Sequence, residues 1–227
     1  MLPTILIGLC QTAAFQGLEQ WALLDGGAGH VALLAYTMPF WAVLLAWLLL
    51  GEKPTRRHWL GLALAALGLL CIIEPWHRMG SVLSTTLALA GGAAWATGTV
   101  LSKRLFRAHM LSVLNITAWQ MLAGGVALGI VALAVPQRSI DWDLAFIGGL
   151  AYSVVLASAV AWWLWSIVLQ RLPTTVASLS SLGVPIVSVL LAWMILHEQP
   201  SMMEVIGIAL VLLGLVAVSG VGARQRA

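Results

Sequence analysis

Charge is what this sequence has least of. Only 8% of its 227 residues are Asp, Glu, Lys or Arg, and 61% are hydrophobic. A soluble domain carries about 25% charged residues. So few charges cannot cover a water-facing surface, and the expected solvent is lipid. Cysteine is nearly absent: Cys10 and Cys71 both lie within apolar runs. Two isolated thiols make neither a disulfide framework nor the Cys/His spacing of a metal site, and they read as small packing residues. His30, His58, His77, His109 and His197 all fall near the ends of apolar runs, as interface positions rather than a ligand cluster. The net charge of +3 gathers into no basic patch with interleaved aromatics, which excludes a nucleic-acid surface. No GxxxxGK[ST] loop is present, which excludes ATP hydrolysis. No HExxH pair, GxSxG elbow or paired carboxylate lies in a span, which argues against an enzyme acting on lipid-linked substrates. No cofactor or metal is expected. The start, MLPTILIGLCQTAAFQG, lacks the basic n-region of a signal peptide, and its apolar run outlasts an h-region, so cleavage is not expected.

What the chain has is long hydrophobic runs. A membrane-crossing helix needs about 20 mostly apolar residues. The runs predict eight spans: A, 3–23; B, 30–50; C, 57–73; D, 84–101; E, 112–135; F, 143–169; G, 174–197; and H, 203–221. The gaps are short and hold breakers such as Asp25-Gly26-Gly27, Glu52-Lys53-Pro54 and Pro136-Gln137-Arg138. The expected fold is an all-α integral membrane protein, a polytopic helix bundle. Alternating the spans puts Lys53, Arg56, Arg57, Lys103, Arg104, Arg107, Arg171, Arg224 and Arg226 on one side. Only Arg78 and Arg138 fall on the other. That bias predicts an inner-membrane protein with both termini, including a tail at 222–227, in the cytoplasm.

One stretch occurs twice. PFWAVLLAWLLLGEKP (39–54) returns as PIVSVLLAWMILHEQP (185–200), an offset of 146 residues. Gly61 and Gly68 return in the same register as Gly207 and Gly214. Spans B and C are thus repeated as G and H, and F precedes G as A precedes B. B is the second span and G the seventh, so the copies cross in opposite senses. This is an inverted-topology repeat, a common build of secondary transporters. The second half carries D and E ahead of F, and nothing in this chain matches them ahead of A. The expected organisation is a partial first repeat of three helices at 1–74 and a five-helix second repeat at 82–221, a five-plus-five pattern lacking its first two helices.

LLAYTMPFWAVLLAWLLLGEKPTRRHWLGLALAALGLLCI resembles the EamA domain of the drug/metabolite transporter (DMT) superfamily. The hallmarks are a mid-helix proline, a Gly-Glu pair at the helix end and a following G-x-A-L-x-x-x-G helix. RLPTTVASLSSLGVPIVSVLLAWMILHEQPSMMEVIGIALVLLGLVAV carries the same pattern, with His197 in place of the glycine before Glu198. GGAAWATGTVLSKRLF resembles the family's first helix of a repeat. The resemblance implies a carrier of small metabolites or drugs, often an exporter, without an ATP site. It also places a tryptophan matching Trp95 near the substrate cavity. The alternative is a non-transporting membrane protein of the same family.

Several residues are candidates for the solute path. Thr12, Gln16, Glu19 and Gln20 fall on one face of an ideal helix A. A carboxylate within a span is a functional candidate by default, and proton coupling at Glu19 stands beside an interfacial role. Ser178, Ser181, Pro185 and Ser188 form a stripe on G, matched on B by Ala32, Ala35, Pro39 and Ala42. Pro185 is expected to free the carbonyl of Ser181. Pro39 and Pro185 are the hinge candidates. Tyr36, Trp41, Trp95, Asn115, Trp119 and Gln120 are candidates for the walls of an amphipathic pocket, each with a core-packing reading beside it. Glu52 and Glu198 are expected to cap the helix that follows each. The pairs Gly91-Gly92, Gly124-Gly125 and Gly148-Gly149, with Gly125-x-x-x-Gly129, are expected at tight helix contacts. The expected partners are the lipid bilayer and a small-molecule substrate.

Overall fold

The structure, a computed structural model, describes residues 2–26, 28–73, 81–108, 112–136, 140–196 and 201–219. Among these residues it is all helical, without strands. Four helical stretches are long and apolar enough to cross a membrane by length and composition: His30–Leu50, Val113–Ala134, Leu144–Arg171 and Thr174–Ile195. Met202–Val218 is a shorter apolar helix.

Span A runs through α1 (Leu2–Ile7), a π-helical segment (Gly8–Ala14) and α2 (Phe15–Asp25). Span B is α3 (Ala28–Ala35) and α4 (Met38–Leu50), broken by a turn at Tyr36 and Thr37. Spans C, D and E are α5 (Arg56–Ile73), α6 (Val82–Ala108) and α7 (Val113–Ala134). Span F repeats the build of A: α8 (Leu144–Tyr152), a π-helical segment (Ser153–Val160) and α9 (Ala161–Arg171). Span G repeats B: α10 (Thr174–Ser180), a turn at Ser181 and Leu182, and α11 (Gly183–Leu196). Span H is α12 (Met202–Ser219).

The offset of 146 read from the sequence recurs in these bounds. Arg56 and Ile73 of α5 map onto Met202 and Ser219 of α12, and the π-turns and helix breaks map to within a residue. The turns precede Pro39 and Pro185, whose rings cannot donate to the preceding turn of helix. The backbone answers locally. Phe40 N donates to Thr37 O at 2.9 Å, and Val184 N donates to Ser181 O at 3.0 Å. The Ser181 carbonyl, expected to be free, is therefore occupied by a tight turn.

α5 and α12 pack closely along their lengths, and glycine is the reason. A Cβ on Gly61 would stand 2.8 Å from the Gly214 carbonyl oxygen, and one on Gly68 would stand 2.6 Å from that of Gly207. The pairing 61 with 214 and 68 with 207 makes the two helices antiparallel. It also maps onto itself under the offset, since 61 becomes 207 and 214 becomes 68. Around this crossing Leu62, Ala65, Leu69, Val211 and Val218 form the main apolar core with Val43, Leu179 and Ile186.

Other glycines behave unevenly. A Cβ on Gly124 would stand 2.6 Å from the Gly8 carbonyl oxygen, but one on Gly125, Gly129, Gly148 or Gly149 would meet nothing within 4 Å among the described residues. The Gly125-x-x-x-Gly129 spacing therefore marks no contact here. Span F is the bare element: α8 and its π segment bury no residue, whereas the matching part of span A buries Ile7, Gly8, Gln11 and Thr12.

Candidate functional site

The pair Gly91-Gly92 on α6 seats two other spans. A Cβ on Gly91 would lie 3.5 Å from Glu19 Cγ and 3.5 Å from the Phe15 carbonyl oxygen. One on Gly92 would lie 3.3 Å from Thr37 Oγ1 and 3.5 Å from the Ala35 carbonyl oxygen. Two missing side chains thus let α2 and the break in span B settle on α6. Between α2 and that break lies a cavity of about 370 Å³, lined by Phe15, Glu19, Val31, Tyr36 and Met38. Neither oxygen of the Glu19 carboxylate accepts a hydrogen bond from a described residue, and Oε1 is buried. Thr37 Oγ1 donates to Leu34 O at 2.6 Å, which satisfies the backbone at the break.

The predicted face of span A does not hold together. Thr12 is buried against Gly124 of α7, with Oγ1 3.7 Å from Met121 Sδ. Gln16 is half-buried, Glu19 borders the cavity, and Gln20 is exposed. Thr12 is turned off the face of the other three by the π segment that contains it, while Gln16, Glu19 and Gln20 all lie on α2. A π-turn takes in one more residue than an α-turn, so positions four apart no longer share a face across it. Gln11, absent from the predicted set, is instead turned inward, 1% exposed, and donates from Nε2 to Thr99 Oγ1 at 2.8 Å.

The predicted pocket-wall residues also separate. Trp95 is buried with its ring centroid 5.0 Å from that of Trp165, and the two border a space of about 170 Å³ with Ala161 and Trp162. Trp165 Nε1 is buried without a hydrogen-bond partner among the described residues. Asn115 and Trp119 border a different cavity of about 480 Å³ between α1 and α7. Trp41 borders a third, about 560 Å³, with Trp59 of α5. Gln120 is buried. Ser178 is fully buried with Oγ unpartnered among the described residues, while Ser181 Oγ donates to Ser178 O at 2.7 Å. Of the predicted wall residues, only Tyr36 shares a cavity with Glu19. The side chain of Ser188 and all of Glu198 lie outside what is described.

At the opposite end of span B a polar cluster ties four spans together. Gly51 ends α4 with φ of 69°, a left-handed turn that costs glycine little, and Glu52 N reaches back to Ala46 O at 3.2 Å. The turn sends the Glu52 carboxylate across to α10 rather than to α5, the helix it was expected to cap. Thr174 N donates to Glu52 Oε2 at 3.0 Å and Thr174 Oγ1 to Oε1 at 3.3 Å. Arg107, at the end of α6, pairs with the same carboxylate and donates to Leu50 O at 3.4 Å. One turn earlier Lys103 is 6% exposed, and its Nζ donates to Leu169 O at 2.8 Å, Gln170 O at 3.3 Å and Leu172 O at 2.6 Å. These are the orphan carbonyls at the end of α9. Burial pushes the Lys103 ammonium below its ordinary value, the Glu52 carboxylate pulls it up, and Arg107 adds to the fall. In the sequence Lys103 and Arg107 register only as charges that set orientation. Their spacing of four on one helix was the available signal that they act together.

Comparison with known proteins places this architecture. The profile of the EamA-like transporter family matches residues 1–74 and 83–220. The chain belongs to that family. It is a polytopic membrane transporter of the DMT superfamily and not an enzyme. It is 26% identical to an uncharacterized transporter, YoaV, of Bacillus subtilis over 93% of this chain and 73% of that one. It is 30% identical to an uncharacterized transporter of Synechocystis, sll0355, over 93% and 69%. It is 25% identical to a "Probable amino-acid metabolite efflux pump" of Escherichia coli over 83% and 66%. One solved crystal structure has the same fold, with a TM-score of 0.86 at 18% identity over 100% of this chain and 79% of that one.

Proposed function

We propose that this EamA-family chain is a secondary active carrier that moves small organic metabolites or drugs across the inner membrane by alternating access, coupled to an ion or proton gradient. In this reading the chain crosses the membrane eight times, with both termini in the cytoplasm. The observation that carries this reading is the antiparallel contact of α5 with α12, which maps onto itself under the 146-residue offset. Two inverted copies packed about such an axis can trade conformations, and the trade opens a central path first to one side and then to the other. The breaks before Pro39 and Pro185 are the hinges in this reading, because each interrupts the regular hydrogen-bond ladder of its span. The Glu52, Arg107 and Thr174 cluster then holds the cytoplasmic ends of three spans together. The name of the Escherichia coli relative makes amino acids and their derivatives the first solutes to try.

The test is counterflow in proteoliposomes against a panel of radiolabelled amino acids, nucleobases and cationic drugs. The expected result is saturable accumulation of at least one solute, abolished by uncoupler when a gradient drives it. Purified, folded protein that exchanges none of the panel would contradict the reading.

A further inference from the structure

The carboxylate of Glu19 sits six residues before the end of α2 at Asp25, about 9 Å along a helix rising 1.5 Å per residue. It is set within a span, where an unpaired carboxylate is expensive and is retained for a reason. No described lysine or arginine pairs with it, and no described hydroxyl or amide donates to it. The described residues hold no group of three or more His, Cys, Asp or Glu that could hold a metal ion here. What surrounds the carboxylate is apolar and aromatic: Phe15 one turn before it, Tyr36 across the cavity, and Val31 and Met38 between. A cavity of about 370 Å³ is within the range of small-molecule pockets.

That combination has a chemical complement. A negative charge without a partner calls for a positive one, and a diffuse cation loses less hydration than a small ion on entering apolar surroundings. Aromatic faces attract the same group through their quadrupole. We infer that the cavity between α2 and the break at Tyr36 and Thr37 is a binding site for the ammonium end of a small organic cation. Glu19 is the counter-charge, and Phe15 and Tyr36 are walls. The inference rests on the carrier reading only for its purpose, since binding at equilibrium needs no transport. Because Tyr36 is itself part of the break in span B, a cation seated against it occupies the element assigned to the hinge.

The experiment is equilibrium binding of radiolabelled benzyltrimethylammonium to the full chain in nanodiscs. Wild type is expected to bind it, and Glu19→Gln to bind at least about tenfold more weakly, as loss of the one charge among the described residues that line the cavity requires. Benzyl alcohol and phenylacetate are expected not to compete. Equal binding by Glu19→Gln, or equal competition by phenylacetate, overturns the site. A second measurement uses the unaltered protein: dicyclohexylcarbodiimide adds to Glu19 as an acylurea, read by mass spectrometry. Benzyltrimethylammonium is expected to slow that reaction severalfold and benzyl alcohol not at all; equal rates with both overturn the proposal. The two readings separate cleanly. Cation binding without counterflow of any solute leaves the site and removes the carrier. Counterflow by Glu19→Gln at the wild-type rate, with unchanged cation binding, removes the site and leaves the carrier.

Discussion

Lys103 is a charge-setting residue by sequence and a capping residue by structure. Three carbonyls of α9 and its exit converge on one ammonium. Lys103→Ala leaves these acceptors without their donor, at a cost of about 1–3 kcal/mol for each buried group left unsatisfied. The expected outcome is a clear fall in Tm in detergent. Lys103→Arg is expected to rescue only part of it, because a planar fork cannot direct its donors onto three oxygens around a point. Full rescue by arginine would mean that charge alone matters at this position. Glu52 carries the same lesson. Its Gly-Glu setting was legible, and so was a capping role. The helix it caps was not, because α10 begins at Thr174, more than a hundred residues on. A long-range partner of that kind leaves no periodicity in the sequence. Glu19 was legible as an odd charge in an apolar run. Its cavity was not, since that depends on the glycines of α6 and the break in span B.

Helices explain the remaining successes and errors. Among the described residues each helical segment falls on one of the apolar runs, because in lipid a backbone must satisfy itself and the helix is the open solution. The faults inside the helices were harder. Prolines 39 and 185 marked spans B and G as interrupted, yet the turns themselves fall at Tyr36–Thr37 and at 181–182, ahead of the rings. The π segments of A and F carry no proline, and the one in A takes Thr12 off the face drawn through Gln16, Glu19 and Gln20. Glycine spacing was equally partial evidence. Gly61, Gly68, Gly207 and Gly214 stand against carbonyl oxygens, and Gly125 and Gly129 stand against nothing described. Alanine at Gly68 or Gly207 must therefore push two backbones apart, and overpacking of this type costs about 1–3 kcal/mol. Gly68→Ala is expected to lower Tm and to reduce the yield of folded protein, with Gly129→Ala close to wild type. Equal stability of the two variants would show that the α5–α12 contact is looser than its geometry states.

For the whole molecule, the account makes one claim: two copies of one segment, inserted in opposite senses, meet about an axis through α5 and α12. Shape follows from it. The operator that carries span A onto F also carries α6 and α7 onto the bare face of α8. Sidedness follows as well. Lys53 and Ser201 stand beside the prolines that close the repeated segments at 54 and 200, and the inversion puts them on opposite sides of the membrane. The measurement is labelling of single cysteines at these two positions, with Cys10 and Cys71 replaced by serine, using a membrane-impermeant maleimide on intact cells and on inverted vesicles. The account predicts that position 53 reacts only in inverted vesicles and position 201 only in intact cells. Labelling of both positions from the same side would contradict it.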